Sequence, residues 1–185
     1  MTLPRNLALL LIAVQKGWDE PYWGERNNPG AEANLAGLLQ AFRRQGLPVI
    51  HIRTDSRDPN SPLHPAEPGN AFKPETAPLP GEAVLAKAGH CAFNGTGLEA
   101  RLRQAGVDRL VIAGFTTNHC VSSTARTACE LGFKTVVLRD ACVAFELDDV
   151  DGNRLGAQTL HDAGLAELHG EYAMVLPTAA LLQLL

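Results

Sequence analysis

The sequence lacks the features of a membrane protein and of a nucleic-acid-binding protein. The apolar run Leu7–Val14 is far shorter than the roughly 20 residues that a membrane-spanning helix needs. Its continuation, Gln15-Lys16-Gly17-Trp18, is a poor context for signal-peptide cleavage. The formal net charge is −4, and the densest basic pair, Arg43-Arg44, does not make a phosphate-binding stripe. We therefore expect a cytoplasmic protein that binds neither membrane nor nucleic acid.

The cysteines do not form the pairs that zinc-ribbon or thioredoxin-type sites require. The four cysteines are Cys91, Cys120, Cys129 and Cys142, and no two of them have C-x-x-C spacing. In a reducing compartment such cysteines are more often free thiols than disulfides. Cys129 and Cys142 lie in periodic or apolar segments, which is typical of small buried hydrophobic residues.

Motifs for phosphate and metal binding are also missing. The chain has no G-x-G-x-x-G, Walker A or G-x-S-x-G pattern. The six histidines show no H-E-x-x-H spacing, and Asp55-Ser56-Arg57 has arginine where a D-x-H motif would have a ligand. His51 lies in the middle of an apolar segment and is best explained as a core histidine. We expect no zinc or iron site and no cofactor.

What the chain does contain is an alternation of strand-like and helix-like segments. The predicted strands are Leu7–Val14, Pro48–Arg53, Val84–Lys87, Arg109–Phe115, Lys134–Leu138 and Tyr172–Leu176. Five helices are predicted between or after them. The first contains Leu35–Phe42, the second begins at the capping-box spacing Thr96–Glu99, and the last starts at Pro177. The third and fourth cover Asn118–Leu131 and Asn153–Ala166. Such alternation predicts a three-layer αβα fold in which helices cover both faces of a mostly parallel sheet of about six strands.

One segment, residues 55–82, interrupts the alternation. Seven of the twelve prolines fall in it. An ordered loop of this length usually covers a site or makes an interface, and disorder is the alternative. With 185 residues, the chain is long enough for one domain, residues 1–185, with this Pro-rich loop inserted.

Cys120 and Lys87 are the best-placed candidates for chemistry. Ligands of parallel α/β folds bind at the carboxyl ends of the strands. Cys120 follows the strand Arg109–Phe115 after a short turn and begins a helix, so the helix dipole favours its thiolate. Backbone N–H groups of the same turn could hold an oxyanion. Lys87 ends its strand. A packed thiol and a solvated surface lysine are the alternatives.

Four aromatic residues lie near these candidates. Trp18 and Trp23 follow the first strand, Phe93 follows Lys87, and Phe115 precedes the turn to Cys120. Aromatic residues near a strand's carboxyl end often line a small pocket, although plain core packing would explain them equally well.

Three segments together resemble the signature segments of the isochorismatase-like cysteine hydrolases, which include nicotinamidases and related amidases. They are Ala8–Gln15, Lys87 with Ala92-Phe93, and Gly114–Val121. The resemblance runs from Leu7 to about Leu176, and the G-x-x-T-x-x-C-V segment is its most specific part. It implies an Asp–Lys–Cys triad with Lys87 and Cys120.

The resemblance fails at one position, Ala13. The family's aspartate ends the first strand in an I-D-x-Q context, and this chain has Ile12-Ala13-Val14-Gln15. A methyl group therefore stands where the general base should be. Loss of one carboxylate from an otherwise intact segment favours a deliberate substitution made to capture a substrate. A natural, non-catalytic protein that binds a small molecule is the alternative.

The resemblance also implies the chemistry. The Cys120 thiolate would attack a carbonyl carbon and form a thioester, the aspartate would carry the proton, and the Lys87 ammonium would lower the pKa of the thiol. A cis peptide between Phe115 and Thr116 is implied, with the N–H groups of Thr116 and Cys120 as the oxyanion hole. The expected substrate contacts are Trp18, Trp23, Phe93, Phe115, Asn118 and His119.

Departures from the family pattern narrow the substrate class. The isochorismatase branch usually has glycine at the position of Cys120, and the metal-binding nicotinamidases have D-x-H where this chain has Arg57. A metal-free hydrolase of a small amide, ureide or lactam remains. The resemblance also implies a homodimer or higher homo-oligomer, with the Pro-rich loop as a candidate contact. A thiol redox or sulfur-transfer protein using Cys120 with Cys91 is a third hypothesis.

Overall fold

The computed structural model describes residues 6–185, which form a six-stranded sheet, a separate two-stranded hairpin and five α-helices. The sheet consists of β1 (Leu7–Ile12), β2 (Val49–Thr54), β3 (Ala83–Lys87), β4 (Arg109–Phe115), β5 (Lys134–Val143) and β8 (Met174–Leu176), and the hairpin of β6 (Leu147–Asp148) and β7 (Arg154–Leu155). The helices are α1 (Ala31–Arg44), α2 (Leu98–Gln104), α3 (Ser122–Glu130), α4 (Ala157–Leu168) and α5 (Thr178–Leu182).

The order of the strands creates a crevice at the centre of the sheet. The order is β3-β2-β1-β4-β5-β8, and every neighbouring pair is parallel. The chain builds outward from β1 through β2 and β3, and then returns to the other side of β1 as β4. Ligands bind at such a reversal, at the carboxyl ends of the strands. The α/β fold predicted from the sequence is confirmed.

The central position of β1 in the core explains why its sequence is an unbroken apolar run. All six residues of β1 are buried, because a central parallel strand is covered on both faces. Helix α1 packs on the sheet with α5 beside it, and α3 packs with α4. The apolar stripe of α1, which includes Leu35, Leu38 and Phe42, is fully buried. Each such side chain stabilises the fold by about 1.5–3 kcal/mol.

Several element boundaries differ from those predicted. Strand β1 ends at Ile12 because Ala13 has a φ of 50°, which turns the chain out of the sheet. Strand β5 continues to Val143. The helix predicted from Asn118 starts with a π-helical turn, Thr117–Val121, before α3. The helix predicted from Asn153 begins at Ala157, because the residues before it pair as β7.

The predicted capping box at Thr96–Glu99 is wrong. Helix α2 begins after Gly97, whose φ of 72° only glycine adopts at little cost. The Thr96 hydroxyl accepts a bond from the Leu98 N–H (3.2 Å) and donates to the Ala92 carbonyl (2.6 Å). Glu99 instead reaches Arg103 along the helix (3.4 Å).

The Pro-rich loop is ordered and is tied to α1. It contains two 3₁₀ turns, and its Lys73 is only 4% exposed. Lys73 Nζ pairs with Asp19 and lies 3.0 Å from Glu32 on the first turn of α1. Glu32 also binds both terminal nitrogens of Arg26 at 2.7 Å. No helix between residues 6 and 185 is both long and apolar enough to cross a bilayer.

The ion pairs of Glu32 predict a pH-dependent contribution to stability. Burial by itself raises the pKa of Glu32, but bonds from Arg26 and Lys73 outweigh it and lower the pKa from 4.5 to about 2. This stabilisation is present above pH 4.5 and is lost as the pH falls towards 2. Glu32→Gln should therefore lower the free energy of unfolding by about 1–3 kcal/mol at pH 7.

Urea unfolding of both proteins from pH 7 down to pH 2.5 measures this effect. The difference between them should shrink as the pH falls, whereas Glu130→Gln, at an exposed position on α3, should match the unchanged chain throughout. A difference that stays constant with pH would contradict the assignment.

Candidate active site

A cavity of about 280 Å³ opens at the carboxyl edge of the sheet. Its wall comes from the segments that follow five neighbouring strands, as expected for this type of fold. After β1 these are Trp18 and Trp23; after β2, Ser56, Ser61 and Leu63; after β3, Ala88, Gly89 and His90; after β4, Thr116, Asn118, His119 and Cys120; and after β5, Phe145 and Leu147, with Thr54 from β2 itself.

Lys87 and Cys120 lie together at this cavity. Lys87 is the last residue of β3 and is 2% exposed. Its Nζ donates to Cys120 Sγ (3.2 Å), to the hydroxyl of Thr54 (2.8 Å) and to the Gly89 carbonyl (2.9 Å). Within residues 6–185, Lys87 has no carboxylate at ion-pair distance. A buried ammonium needs a compensating anion, and the thiolate of Cys120 is the group in position to supply it.

The surroundings of Cys120 favour that thiolate. Burial by itself raises the pKa of the thiol, since Cys120 is only 5% exposed. A hydrogen bond with His90 and the charge of Lys87 act in the opposite direction and prevail, so the pKa of Cys120 lies below its ordinary value. Cys142 shows the contrast, because burial without cations raises its pKa to about 12.

The backbone before Cys120 requires glycine at one position. Gly114 has a φ of 128°, and a Cβ there would lie 2.1 Å from the Ile12 carbonyl oxygen, so β1 and β4 approach too closely for any other residue. The Phe115–Thr116 peptide is cis, as the resemblance implies. The π-helical turn follows, closed by a bond from the Val121 N–H to the Thr116 carbonyl (3.0 Å).

A buried histidine that does not line the cavity contacts the π-helical turn. His161 on α4 is 3% exposed. Its Nδ1 lies 2.8 Å from the Thr117 hydroxyl, and its Nε2 lies 3.4 Å from Asn28 Nδ2. Burial lowers the pKa of His161, which keeps the ring neutral and able to accept one of these bonds.

Ala13 lies between the strands that carry the two candidate groups. It is fully buried, and its N–H donates to the Ile52 carbonyl on β2 (2.7 Å). Its own carbonyl accepts a bond from Trp18 Nε1 (2.7 Å) and so holds a wall of the cavity in place. The left-handed backbone at Ala13 is adopted several times more often by aspartate and asparagine than by alanine. The position therefore suits an aspartate, although the methyl group present has no proton to exchange.

Two of the aromatic residues expected in the pocket do not line it. Phe115 is fully buried behind Trp18, with ring centroids 6.0 Å apart, because the last residue of β4 points into the core. Phe93 stacks on Phe133 at 5.9 Å, because the chain leaves the cavity wall after His90 and leads towards α2. Trp18 and Trp23 do line the pocket, in contact with each other at 4.3 Å, as do Asn118 and His119.

Several wall residues were missed from the sequence. Phe145 and Leu147 reach the cavity because β5 continues five residues beyond its predicted end at Leu138. Leu63 and two serines come from the Pro-rich loop, whose path follows no local pattern. His90 lies three residues after Lys87 in the sequence, and this proximity could have predicted that His90 also lies at the site.

The predicted core histidine, His51, is 1% exposed and pairs with Glu82 at 2.8 Å. Burial lowers the pKa of His51. In the part of the chain that the structure describes, no three His, Cys, Asp or Glu side chains come together as a metal-ligand group.

Sequence and structure comparisons identify the family of the chain. Residues 7–180 match the family profile described as the Isochorismatase domain. The chain belongs to the isochorismatase family. It is similar over its whole length to the crystal structure of an isochorismatase-family protein from Chromobacterium violaceum, with 48% identity, a TM-score of 0.95 and 96% of that chain covered.

Two relatives extend the comparison. The isochorismatase family protein YrdC of Bacillus subtilis is 40% identical, with 95% of this chain and 94% of the relative covered. The maleamate amidohydrolase of Pseudomonas putida is 30% identical, with 92% of this chain and 83% of the relative covered. The family is therefore established, and it includes a hydrolase of an amide.

The contact between Lys87 and Cys120 predicts the effect of Lys87→Met. Methionine is of similar length but uncharged, so the thiolate loses a stabilising charge and the pKa of Cys120 should rise. Alkylation of Cys120 by iodoacetamide, followed by peptide mass spectrometry, should slow at pH 7 and recover at higher pH. The control Lys134→Met, at an exposed position on β5, should leave the pH profile unchanged. An unchanged profile in Lys87→Met would show that the ammonium does not act on the thiol.

Proposed function

We propose that this protein is a cysteine hydrolase that cleaves the C–N bond of a small, uncharged amide, ureide or lactam through a thioester on Cys120. The observation that carries the proposal is the 3.2 Å contact between Lys87 Nζ and Cys120 Sγ beside a cavity of small-molecule size. An ammonium-stabilised thiolate is an activated nucleophile at neutral pH. The amidohydrolase among the relatives supports acyl transfer as the reaction class.

The proposed reaction has two halves. The Cys120 thiolate attacks the carbonyl carbon, and the N–H groups of Thr116 and Cys120 hold the oxyanion. The C–N bond then breaks, the nitrogen leaves with an added proton, and a thioester remains. Water attacks the thioester, which releases the acid and restores the thiol. Both halves need a group that carries a proton between sulfur, nitrogen and water.

The wall of the cavity favours an uncharged substrate. It contains no Asp, Glu, Lys or Arg side chain. An amide group is uncharged, and its apolar part could contact the two tryptophans that line the cavity.

The composition of the cavity wall predicts that the protein hydrolyses neutral amides faster than negatively charged ones. Isocrotonamide and maleamate carry the same amide group on the same cis double bond, and a carboxylate replaces the methyl group in maleamate. We expect kcat/KM to favour isocrotonamide by about tenfold or more, which corresponds to about 1.4 kcal/mol, because the cavity wall offers the carboxylate no arginine or lysine. The ratio of the two kcat/KM values is measured by steady-state kinetics. The protein assayed is Ala13→Asp, because we expect this variant to hydrolyse amides faster than the unchanged chain. Equal or faster hydrolysis of maleamate would refute the neutral-substrate assignment.

Position 13 predicts the rate of the present chain. We infer that the chain is an impaired hydrolase, because the methyl group of Ala13 cannot accept or return a proton. Ala13→Asp should raise kcat/KM by about tenfold or more, because a carboxylate at position 13 can carry the proton. Ala13→Asn is the matched control, because asparagine fits the left-handed backbone equally well and cannot act as a base.

A panel of small amides and lactams, assayed with all three proteins, decides between the candidate functions. Equal turnover by the aspartate and alanine forms on every compound would remove position 13 from the mechanism. Binding of an amide by calorimetry without turnover by any form would favour the alternative, a non-catalytic protein that binds a small molecule.

The redox hypothesis finds no support in the structure. All four cysteines are free, and Cys91 Sγ donates to the Thr127 hydroxyl (3.3 Å). A resolving cysteine would instead have to reach the Cys120 sulfur. Assembly into a homodimer or higher oligomer through the Pro-rich loop stays a prediction.

A further inference from the structure

His90 is an imidazole next to the thiol that the Asp–Lys–Cys scheme does not use. Its Nδ1 lies 3.6 Å from Cys120 Sγ, within hydrogen-bonding distance for sulfur. The residue lines the cavity and its side chain is exposed at the mouth. It is therefore open both to a bound substrate and to water, which a proton-carrying group in a hydrolase must reach in turn.

We propose that His90 carries the proton in this site, in place of the aspartate that is missing from position 13. The proposal rests on the proposed function for its second half, the transfer to the leaving nitrogen. Its first half, the exchange of a proton between Cys120 and His90, concerns the protein alone and can be measured without a substrate.

The proton can be followed through each step. His90 Nδ1 takes the proton from the Cys120 thiol, and the sulfur electron pair forms the S–C bond to the carbonyl carbon. When the C–N bond breaks, its electron pair stays on nitrogen, which receives the proton from His90. His90, now neutral, takes a proton from the water that attacks the thioester carbon. As the C–S bond breaks, that proton returns to the sulfur, so amide and water give acid and amine.

The other titratable groups around His90 cannot fill this role. Lys87 already donates to the sulfur and, as an ammonium, has no lone pair to accept a proton. The ring of His119 stacks on His90 at 5.4 Å, but among residues 6–185 the hydrogen-bond partners of Cys120 Sγ are Lys87 and His90. From the Pro-rich loop the cavity receives serines and a leucine, and the cavity wall has no carboxylate.

Electrostatics agree with a shared proton. The hydrogen bond to Cys120 raises the pKa of His90, and this effect exceeds the opposing effects of burial and of the Lys87 charge. The pKa of the thiol is lowered in turn. Both shifts make proton transfer from the thiol to the imidazole easier, which would leave a thiolate to attack a carbonyl and a protonated ring to protonate nitrogen.

A four-protein comparison tests the proposal: the unchanged chain, His90→Gln, Ala13→Asp, and the double variant. The first measurement is the rate of Cys120 alkylation by iodoacetamide from pH 5 to pH 10. In the Ala13 background, His90→Gln should slow alkylation at pH 7 by about tenfold or more and move the profile to higher pH. His169→Gln, at an exposed histidine after α4, should leave the profile in place.

The second measurement is kcat/KM on the best amide of the panel. His90→Gln should reduce it by about 10²–10⁴-fold where residue 13 is alanine, and by less than about tenfold where residue 13 is aspartate, because the carboxylate then carries the proton. Equal losses in both backgrounds would mean that His90 only shapes the pocket, and an unchanged alkylation profile would overturn the proposal outright. If alkylation shifts as expected and no variant hydrolyses any amide, the His90–Cys120 proton exchange is supported and amide hydrolysis is what fails.

Discussion

Lys87 places a fully buried ammonium group at the end of β3, and the rest of the site follows from the need to compensate that charge. A hydroxyl and a carbonyl oxygen satisfy part of its hydrogen bonding, but neither is an anion. Desolvating an unpaired ammonium costs several kcal/mol, so the folded protein gains when the nearby sulfur of Cys120 ionises. The same electrostatic term that stabilises the buried lysine therefore favours the thiolate of Cys120. Folding stability and the ionisation of Cys120 are linked at this one contact.

The parallel sheet positions Lys87 and Cys120 accurately enough for this contact. Lys87 ends β3 and Cys120 follows β4, two strands separated by β2 and β1. Their side chains meet because parallel strands end at the same edge, and because Gly114 lets β4 lie close to β1. The π-helical turn, held by His161 from α4, then directs the sulfur back over the strand ends. A rigid scaffold can hold reacting groups in this way, while the loops that follow the strands vary to suit the substrate.

Ala13 combines a backbone conformation that suits aspartate with a side chain that cannot exchange a proton. The backbone there keeps a left-handed turn that suits aspartate better than alanine, and its carbonyl still positions Trp18. The pocket is therefore formed without a carboxylate at position 13. An imidazole at the pocket mouth is chemically able to carry a proton, since histidine exchanges protons near neutral pH.

Local patterns in the sequence determined the order of strands and helices, because the spacing of apolar residues reports which face of an element is buried. They also placed Lys87 at the carboxyl end of a strand and Cys120 in the turn after another. The tertiary structure alone decided that His90 lies 3.6 Å from the sulfur, that Phe93 packs away from the cavity, and that the Pro-rich loop closes one wall. These features depend on contacts between segments far apart in the chain, and packing between distant segments leaves no periodic pattern in the sequence.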